Sequence, residues 1–400
     1  MGRLNVTIIV MDTLRLDTFN ELIAAAPLSR LGRFVCLDRC IAPSPWTLPS
    51  HASLLTGMYP SEHGSHESKT VKGLDIDRIR LTRRTMVSDL KDMGYRTYAI
   101  SANPYVHPVY GFDEFDSFRE ESYFTDIYGS VFEVSDKVKP LLAKYRQMYG
   151  SNPLKISLAL LKEDPNLLFD AVTSGIFLTP RAAAKKLKAK LVDNWPLEKG
   201  GREIVRTEKR MAFKKPFFFL INLMEPHDPY VGAKGKDFNW ATPFMKEKVD
   251  DALVNKWKRL YLKASGKGYR YVCEIVKDLV RRFGDDQLII ITADHGQAFN
   301  EHGFIGHGSM LYDEIVRVPF AVMLPKGFEE VKSNDYVSLV NVKDFVMAAL
   351  DGDKKAMRKL YGKKVRTESF GIPAAISNLK GIDLKKVRAN EKARSRTFGN

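Results

Sequence analysis

Cysteine is scarce in this 400-residue chain: Cys36, Cys40 and Cys273 are the only three. An odd number without paired-ligand spacing argues against a disulfide framework or a thiolate zinc cluster, and reads as free thiols in a reducing compartment. Long apolar runs are missing as well. The run Val6 to Met11 is halted by Asp12, too short for a secretory signal and far short of the roughly 20 residues that cross a bilayer. No later stretch qualifies, so a soluble, cytoplasmic protein without a transmembrane segment is expected. Internal repeats and low-complexity segments are absent. Acidic charge is in deficit: 48 Asp and Glu stand against 63 Lys and Arg, a net charge of +15. The basic residues gather at 181–190, 202–215 and 354–396. No zinc finger, RNP-type aromatic motif or helix-turn-helix accompanies them, which disfavours a nucleic-acid partner. An anionic small molecule, or a lipid or glycan phosphoester, is the simpler reason for the charge. Oligomeric state is left open.

What the chain does have is a series of short, β-branched, almost continuously apolar runs, as expected of strands buried on both faces. They are 5–11 (NVTIIVM), 95–101 (YRTYAIS), 216–223 (PFFFLINL), 287–292 (QLIIIT) and 319–324 (PFAVML). A helical period at 85–93, stopped by Gly94, precedes the second. Strands alternating with helices predict an α/β fold with a large, mostly parallel central sheet between helical layers. The catalytic unit is expected over 1–355, with a basic helical insertion at about 118–212, followed by a basic, abbreviated C-terminal segment at 356–400.

Ligands in such sheets bind beyond the carboxyl ends of the strands. The first strand delivers Asp12 there, QLIIIT delivers Asp294 and His295, PFFFLINL delivers Glu225, His227 and Asp228, and YRTYAIS delivers Asn103. His307 lies in the loop before PFAVML. Carboxylate oxygens and imidazole nitrogens suit one divalent ion, Mn or Zn before Ca. Asp12, Asp294 and His295 supply three ligands and Thr47 a fourth. Thr47 stands in SPWTLPSHASLLTG (44–57), just ahead of a helix expected to start near Ser50, whose free N–H groups favour an anion. A metal lowers the pKa of such a hydroxyl enough to make it a nucleophile. Ser50 is expected to cap the helix, and Arg15 and Asp17 to form a local pair.

The segments MDTLRLD (11–17), PSHASLLTGMYPSEHG (49–64), GYRTYAISAN (94–103), NLMEPHDPY (222–230), TADHG (292–296) and GHGSMLYDEIVRVPF (306–320), in this order, resemble the sulfatase family of the alkaline phosphatase superfamily. The resemblance implies the three-layer sandwich of that superfamily and a metal beside a covalent nucleophile that attacks a sulfate or phosphate ester in line. It implies that Asp12, Asp294 and His295 are ligands, that Thr47 is the nucleophile, and that His227 and His307 meet the transferred group or the leaving oxygen. His51 stands where the family motif has arginine, which makes it, with Asn103, a substrate-binding residue. The departures are specific. Threonine cannot be oxidised to the formylglycine aldehyde of true sulfatases, because its β-carbon bears a methyl. The family's sulfate-gripping Lys and His are missing from residues 101–104. Leu223 occupies the place of the acid that would hold a second metal, leaving Glu225 or Asp228 as substitutes. The expected activity is therefore hydrolysis of phosphate (di)esters or phosphonate esters through Thr47. Sulfuric ester hydrolysis, phosphotransfer to an alcohol and a non-catalytic basic binding protein are the alternatives.

Overall fold

The computed structural model describes residues 3–67, 76–121, 148, 153–163, 199–230, 241–245, 249–373 and 381–399. Most of the helical insertion expected at 118–212 lies outside these residues; the helices Pro153–Glu163 and Gly201–Arg210 are its described helical parts.

The apolar runs form the middle of a nine-stranded sheet. In chain order its strands are β1 (Val6–Met11), β2 (Phe34–Ile41), β3 (Arg96–Ser101), β4 (Ser117–Glu120), β5 (Phe217–Leu223), β6 (Leu288–Thr292), β9 (Arg317–Met323), β10 (Tyr336–Ser338) and β11 (Tyr361–Gly362). A small hairpin, β7 (Ala298–Phe299) with β8 (Ile305–Gly306), stands apart from it. The order across the sheet is β11-β10-β2-β9-β6-β1-β5-β3-β4. Strand β1 lies between β5 and β6, parallel to both, with Val6 opposite Phe218 and Leu288. Every residue of β1, β5 and β6 is buried, and each large aliphatic side chain so buried contributes about 1.5–3 kcal/mol. These three strands need no polar face, which is why their sequences do not alternate.

Strand β9 runs antiparallel to both β6 and β2. The chain leaves β6 at its carboxyl end, makes the β7–β8 hairpin there and enters β9 from the same end, so β9 must run back. Strand β2, FVCLDRCI, is not evident from sequence. It is half exposed, carries Asp38 and Arg39, and its register shifts between Leu37 and Cys40. Past residue 355 the chain continues to pack: Ala356, Met357 and Leu360 lie in the main core, and β12 (Lys364–Ser369) pairs with β13 (Arg394–Gly399) in a separate antiparallel ribbon.

Two helices position the site. Helix α1 (Leu16–Ala25) follows β1, and α2 (Thr47–Thr56) follows β2 and ends at Gly57, in the left-handed conformation (φ 74°). The 33-residue helix Asp251–Phe283 packs through Trp257, Tyr261, Tyr269, Val272 and Val276. A Cβ at its Gly268 would stand 3.0 Å from both Glu225 Cβ and Met11 Cε, so glycine lets this helix lie directly on the ends of β1 and β5. No helix among the described residues is long and apolar enough to cross a membrane.

Candidate metal centre

At the end of β1, Asp12 is fully buried and its N–H donates to the Leu223 carbonyl at 2.8 Å. Thr13 then adopts φ 60°, which costs a β-branched residue about 1–3 kcal/mol. Tertiary contacts hold it there: its N–H points at Asp294 Oδ1 (3.3 Å), and the Tyr261 hydroxyl donates to its carbonyl (2.9 Å). Beyond β6, Asp294 Oδ1 accepts the His295 N–H at 2.9 Å. His295 Nδ1 lies 2.9 Å from the Gly296 carbonyl. A carbonyl only accepts, so Nδ1 carries the proton and Nε2 turns a lone pair toward Asp12 Oδ1 (3.8 Å) and Asp294 Oδ2 (3.6 Å).

Those two carboxylate oxygens are buried and without a hydrogen-bond partner. Burial raises both carboxyls above their ordinary values, and Asp294 raises Asp12 further. Burial pushes His295 down to about 4, so its ring is neutral. Two orphaned oxygens and an imidazole lone pair aimed at one point are unfavourable by themselves. They are the donor set of a divalent cation, and Asp12, Asp294 and His295 fit one.

Thr47 stands beside this set. Its Oγ1 is 3.4 Å from Asp12 Oδ2 and 3.5 Å from His295 Nε2. Asn103 Nδ2 lies 2.6 Å from Asp12 Oδ2 and 3.2 Å from Thr47 Oγ1. Thr47 is the first residue of α2, and Trp46, the extended residue before it, makes no side-chain cap. The N–H groups of that terminus remain for an anion. The Trp46 indole donates to Glu67 Oε2 at 2.6 Å, and Glu67 Oε1 accepts the Phe370 N–H at 2.8 Å. The segment after β12 is thereby tied to the approach to Thr47. Burial raises Glu67 to about 7.

Ser50 does not cap the helix. The helix begins three residues earlier, and the Ser50 hydroxyl donates to the Asp294 carbonyl at 2.6 Å. Ser53 is 3.0 Å from His63 Nε2, while His63 Nδ1 accepts the Ser65 N–H at 3.0 Å. His63 Nε2 therefore carries the proton, and this pair cannot activate a serine. His51, on α2 itself, is fully buried: Nδ1 donates to the Thr47 carbonyl (3.0 Å) and lies 3.6 Å from Asp294 Oδ2, and Nε2 accepts from Asn222 Nδ2 (3.3 Å).

His227 and His307 form a second group with Asp228. Their rings are 4.9 Å apart, and the His307 ring is 4.5 Å from that of His295. His227 Nδ1 donates to the Asp228 carbonyl and His307 Nδ1 to Gln297 Oε1 (2.7 Å), leaving both Nε2 atoms for other partners. Burial, then His295 and His227, hold His307 well below its ordinary value. Glu225 instead accepts the Gly201 N–H at 3.0 Å. Arg15 pairs with Asp17 as expected, and also with Glu301 and the Gln297 carbonyl. Sequence reasoning missed Asn222, 3.5 Å from Asp12 Oδ2, and Gln297. The signal for Asn222 was available: an amide inside an otherwise apolar buried strand needs a partner.

Known proteins share this architecture. A phosphonate monoester hydrolase from Silicibacter pomeroyi superposes with a TM-score of 0.58 at 16% identity, covering 99% of this chain and 85% of that one. A 2-O GAG sulfatase gives 0.53 at 14% identity, covering 92% and 78%. In sequence, the uncharacterized sulfatase YidJ of Escherichia coli (strain K12) is 22% identical over 341 residues, 78% of this chain. The alignment takes in 59% of YidJ, so the chain spans less than two thirds of that relative's length. The Sulfatase family model matches residues 5–352, from β1 to the helix Val342–Leu350 behind α2, and thus takes in every strand end that meets at this centre; the chain belongs to the Sulfatase family.

Proposed function

We propose that this protein is a metal-dependent hydrolase that cleaves phosphate diesters or phosphonate esters through a covalent intermediate on Thr47. The observation that carries the reading is the Thr47 hydroxyl at the start of α2, in contact distance of Asp12, Asn103 and His295 at once. A threonine there cannot become formylglycine, and a phosphonate monoester hydrolase is among the proteins of similar fold. One cation, Mn or Zn, held by Asp12, Asp294, His295 and Thr47 would lower the pKa of the hydroxyl.

The chain's own residues do the rest. Thr47 Oγ bonds to phosphorus as the bond to the departing oxygen breaks, and its proton passes to an Nε2 lone pair of the His227–His307 pair. Asn103 Nδ2 has two hydrogens: one holds Asp12, the other is directed at Thr47 Oγ1 and meets the phosphoryl group carried there. The imidazole that takes up the Thr47 proton, its own Nδ1 proton held by the Asp228 carbonyl or by Gln297, gives it from Nε2 to the departing oxygen. Neutral again, it takes a proton from the water that breaks the Thr47–phosphorus bond, so acid and base are one atom used twice. His51, buried against Asp294 and Asn222, supports the ligands from beneath. The net positive charge and the family support a substrate among anionic glycan or lipid esters.

Sulfate ester hydrolysis is the second reading, favoured by the family itself. The test compares an aryl phosphodiester, an aryl phosphonate and an aryl sulfate on wild type, Thr47→Ser and Thr47→Ala, with intact mass taken during turnover. Phosphoester cleavage lost by about 10⁴-fold or more in Thr47→Ala, with a phosphoryl adduct on wild type, is expected. Sulfate turnover that survives Thr47→Ala overturns the reading.

A further inference from the structure

Lysine is almost never fully buried unless it is paired, yet Lys199 is 0% exposed. Its Nζ donates to the His227 carbonyl at 2.6 Å. The backbone around it is built for that placement. Gly200 has φ 99°, and a Cβ there would stand 1.8 Å from the Glu121 carbonyl oxygen; a Cβ at Gly201 would stand 2.2 Å from Glu225 Oε1. Two glycines thus let the chain press between the end of β4 and the loop after β5, which drives the Lys199 side chain inward. Glu225 fastens the same turn by accepting the Gly201 N–H.

His227 is held in three ways. Its N–H donates to the Met224 carbonyl at 3.1 Å and its Nδ1 to the Asp228 carbonyl, both within its own turn. The contact from Lys199 comes from a segment 28 positions away. An ammonium donor makes a shorter and stronger bond than a neutral one, and the ring of His227 turns about the backbone that this bond anchors.

We propose that Lys199 is a positioning residue for His227: it fixes the carbonyl of that residue so that the imidazole meets the departing ester oxygen. The proposal rests on the reading of His227 as a proton-transfer group. Leaving-group dependence reads it, because a nitrophenyl ester departs without a proton and an alkyl ester does not. Lys199→Met in the full-length, metal-loaded protein should lower kcat for an alkyl phosphonate ester by about 10–100-fold, with KM changed less than about threefold. The nitrophenyl ester should be nearly unaffected. The double variant Lys199→Met/His227→Ala should be no slower than His227→Ala, since both changes act on one group. Equal losses on both esters in a folded Lys199→Met, or losses that multiply with His227→Ala, overturn the proposal. If His227→Ala itself does not discriminate between the esters, the fault lies in the reading of His227. Should Lys199→Met fail to fold, Lys199→Gln, which keeps a donor for the carbonyl, takes its place. Retained leaving-group dependence of the wild-type kind supports the assignment, and uniform slowing of both esters refutes it.

Discussion

The Ser50 hydroxyl donates to the main-chain carbonyl of Asp294 at 2.6 Å, and 244 positions of sequence separate the two. One hydrogen bond thus ties the first turn of the Thr47 helix to the loop that carries Asp294 and His295. Ser50→Ala leaves that buried carbonyl unsatisfied and should destabilise the fold by about 1–3 kcal/mol, with weaker metal binding. Urea titration and metal titration check both. An unchanged metal affinity would show that the helix and the loop are registered without it.

Asp12 and Asp294 make the metal-free protein less stable than it could be. Both folded-state pKa values are raised, so the penalty is full only above the folded values, shrinks as pH falls below them and is gone below the ordinary 3.8. Asp12→Asn should therefore raise the melting temperature of the metal-free protein while abolishing the shift produced by Mn²⁺ or Zn²⁺. In wild type that shift should correspond to about 3 kcal/mol at a hundredfold excess of ion over Kd. Metal analysis should return one ion per chain, unchanged in His227→Ala; a second ion lost in that variant would assign His227, Asp228 and His307 to another metal.

His63 sets an acid limit. Burial lowers it to about 3 from 6.5, so the unfolded chain binds the proton first and stability is lost as pH falls from 6.5. The loss should reach about 3 kcal/mol by pH 4. His63→Gln should remove that slope in denaturant titrations run at several pH values, whatever it does at neutral pH.

Glu67 has the opposite sign. Burial raises it to about 7 from 4.5, so its contribution is intact below 4.5 and is lost as pH rises from there through 7, by about 3 kcal/mol in all. Glu67→Gln should remove this fall in stability between pH 4.5 and 7, even though one of the Trp46 and Phe370 donors then faces an amide N–H. A slope as steep in the variant as in wild type would place the titrating group elsewhere.

The parts legible in sequence were those that local chemistry specifies. Strands β1, β5 and β6 are apolar on both faces, and few other structures suit such runs between turn residues. Their ends could be read because chain order fixes which residues come directly after a strand, so Asp12, His227, Asp294 and His295 could be named before any of them was seen together. Strand β2 was hidden because its central residues, Leu37 to Arg39, are partly solvent-exposed and its register slips. Ser50 was misread because capping depends on where the helix starts, and the start at Thr47 is set by packing rather than by a polar side chain.

By itself, then, the sequence determined the class of fold and, through the order of its motifs, the family, since residue type and periodicity act over a few positions. Only the tertiary structure decided what those residues face. It turned His295 Nε2 toward two orphaned carboxylate oxygens, forced Thr13 into the left-handed region, reversed β9 and buried an ammonium behind His227. Each of these depends on atoms brought together from distant parts of the chain, and no local pattern carries that information.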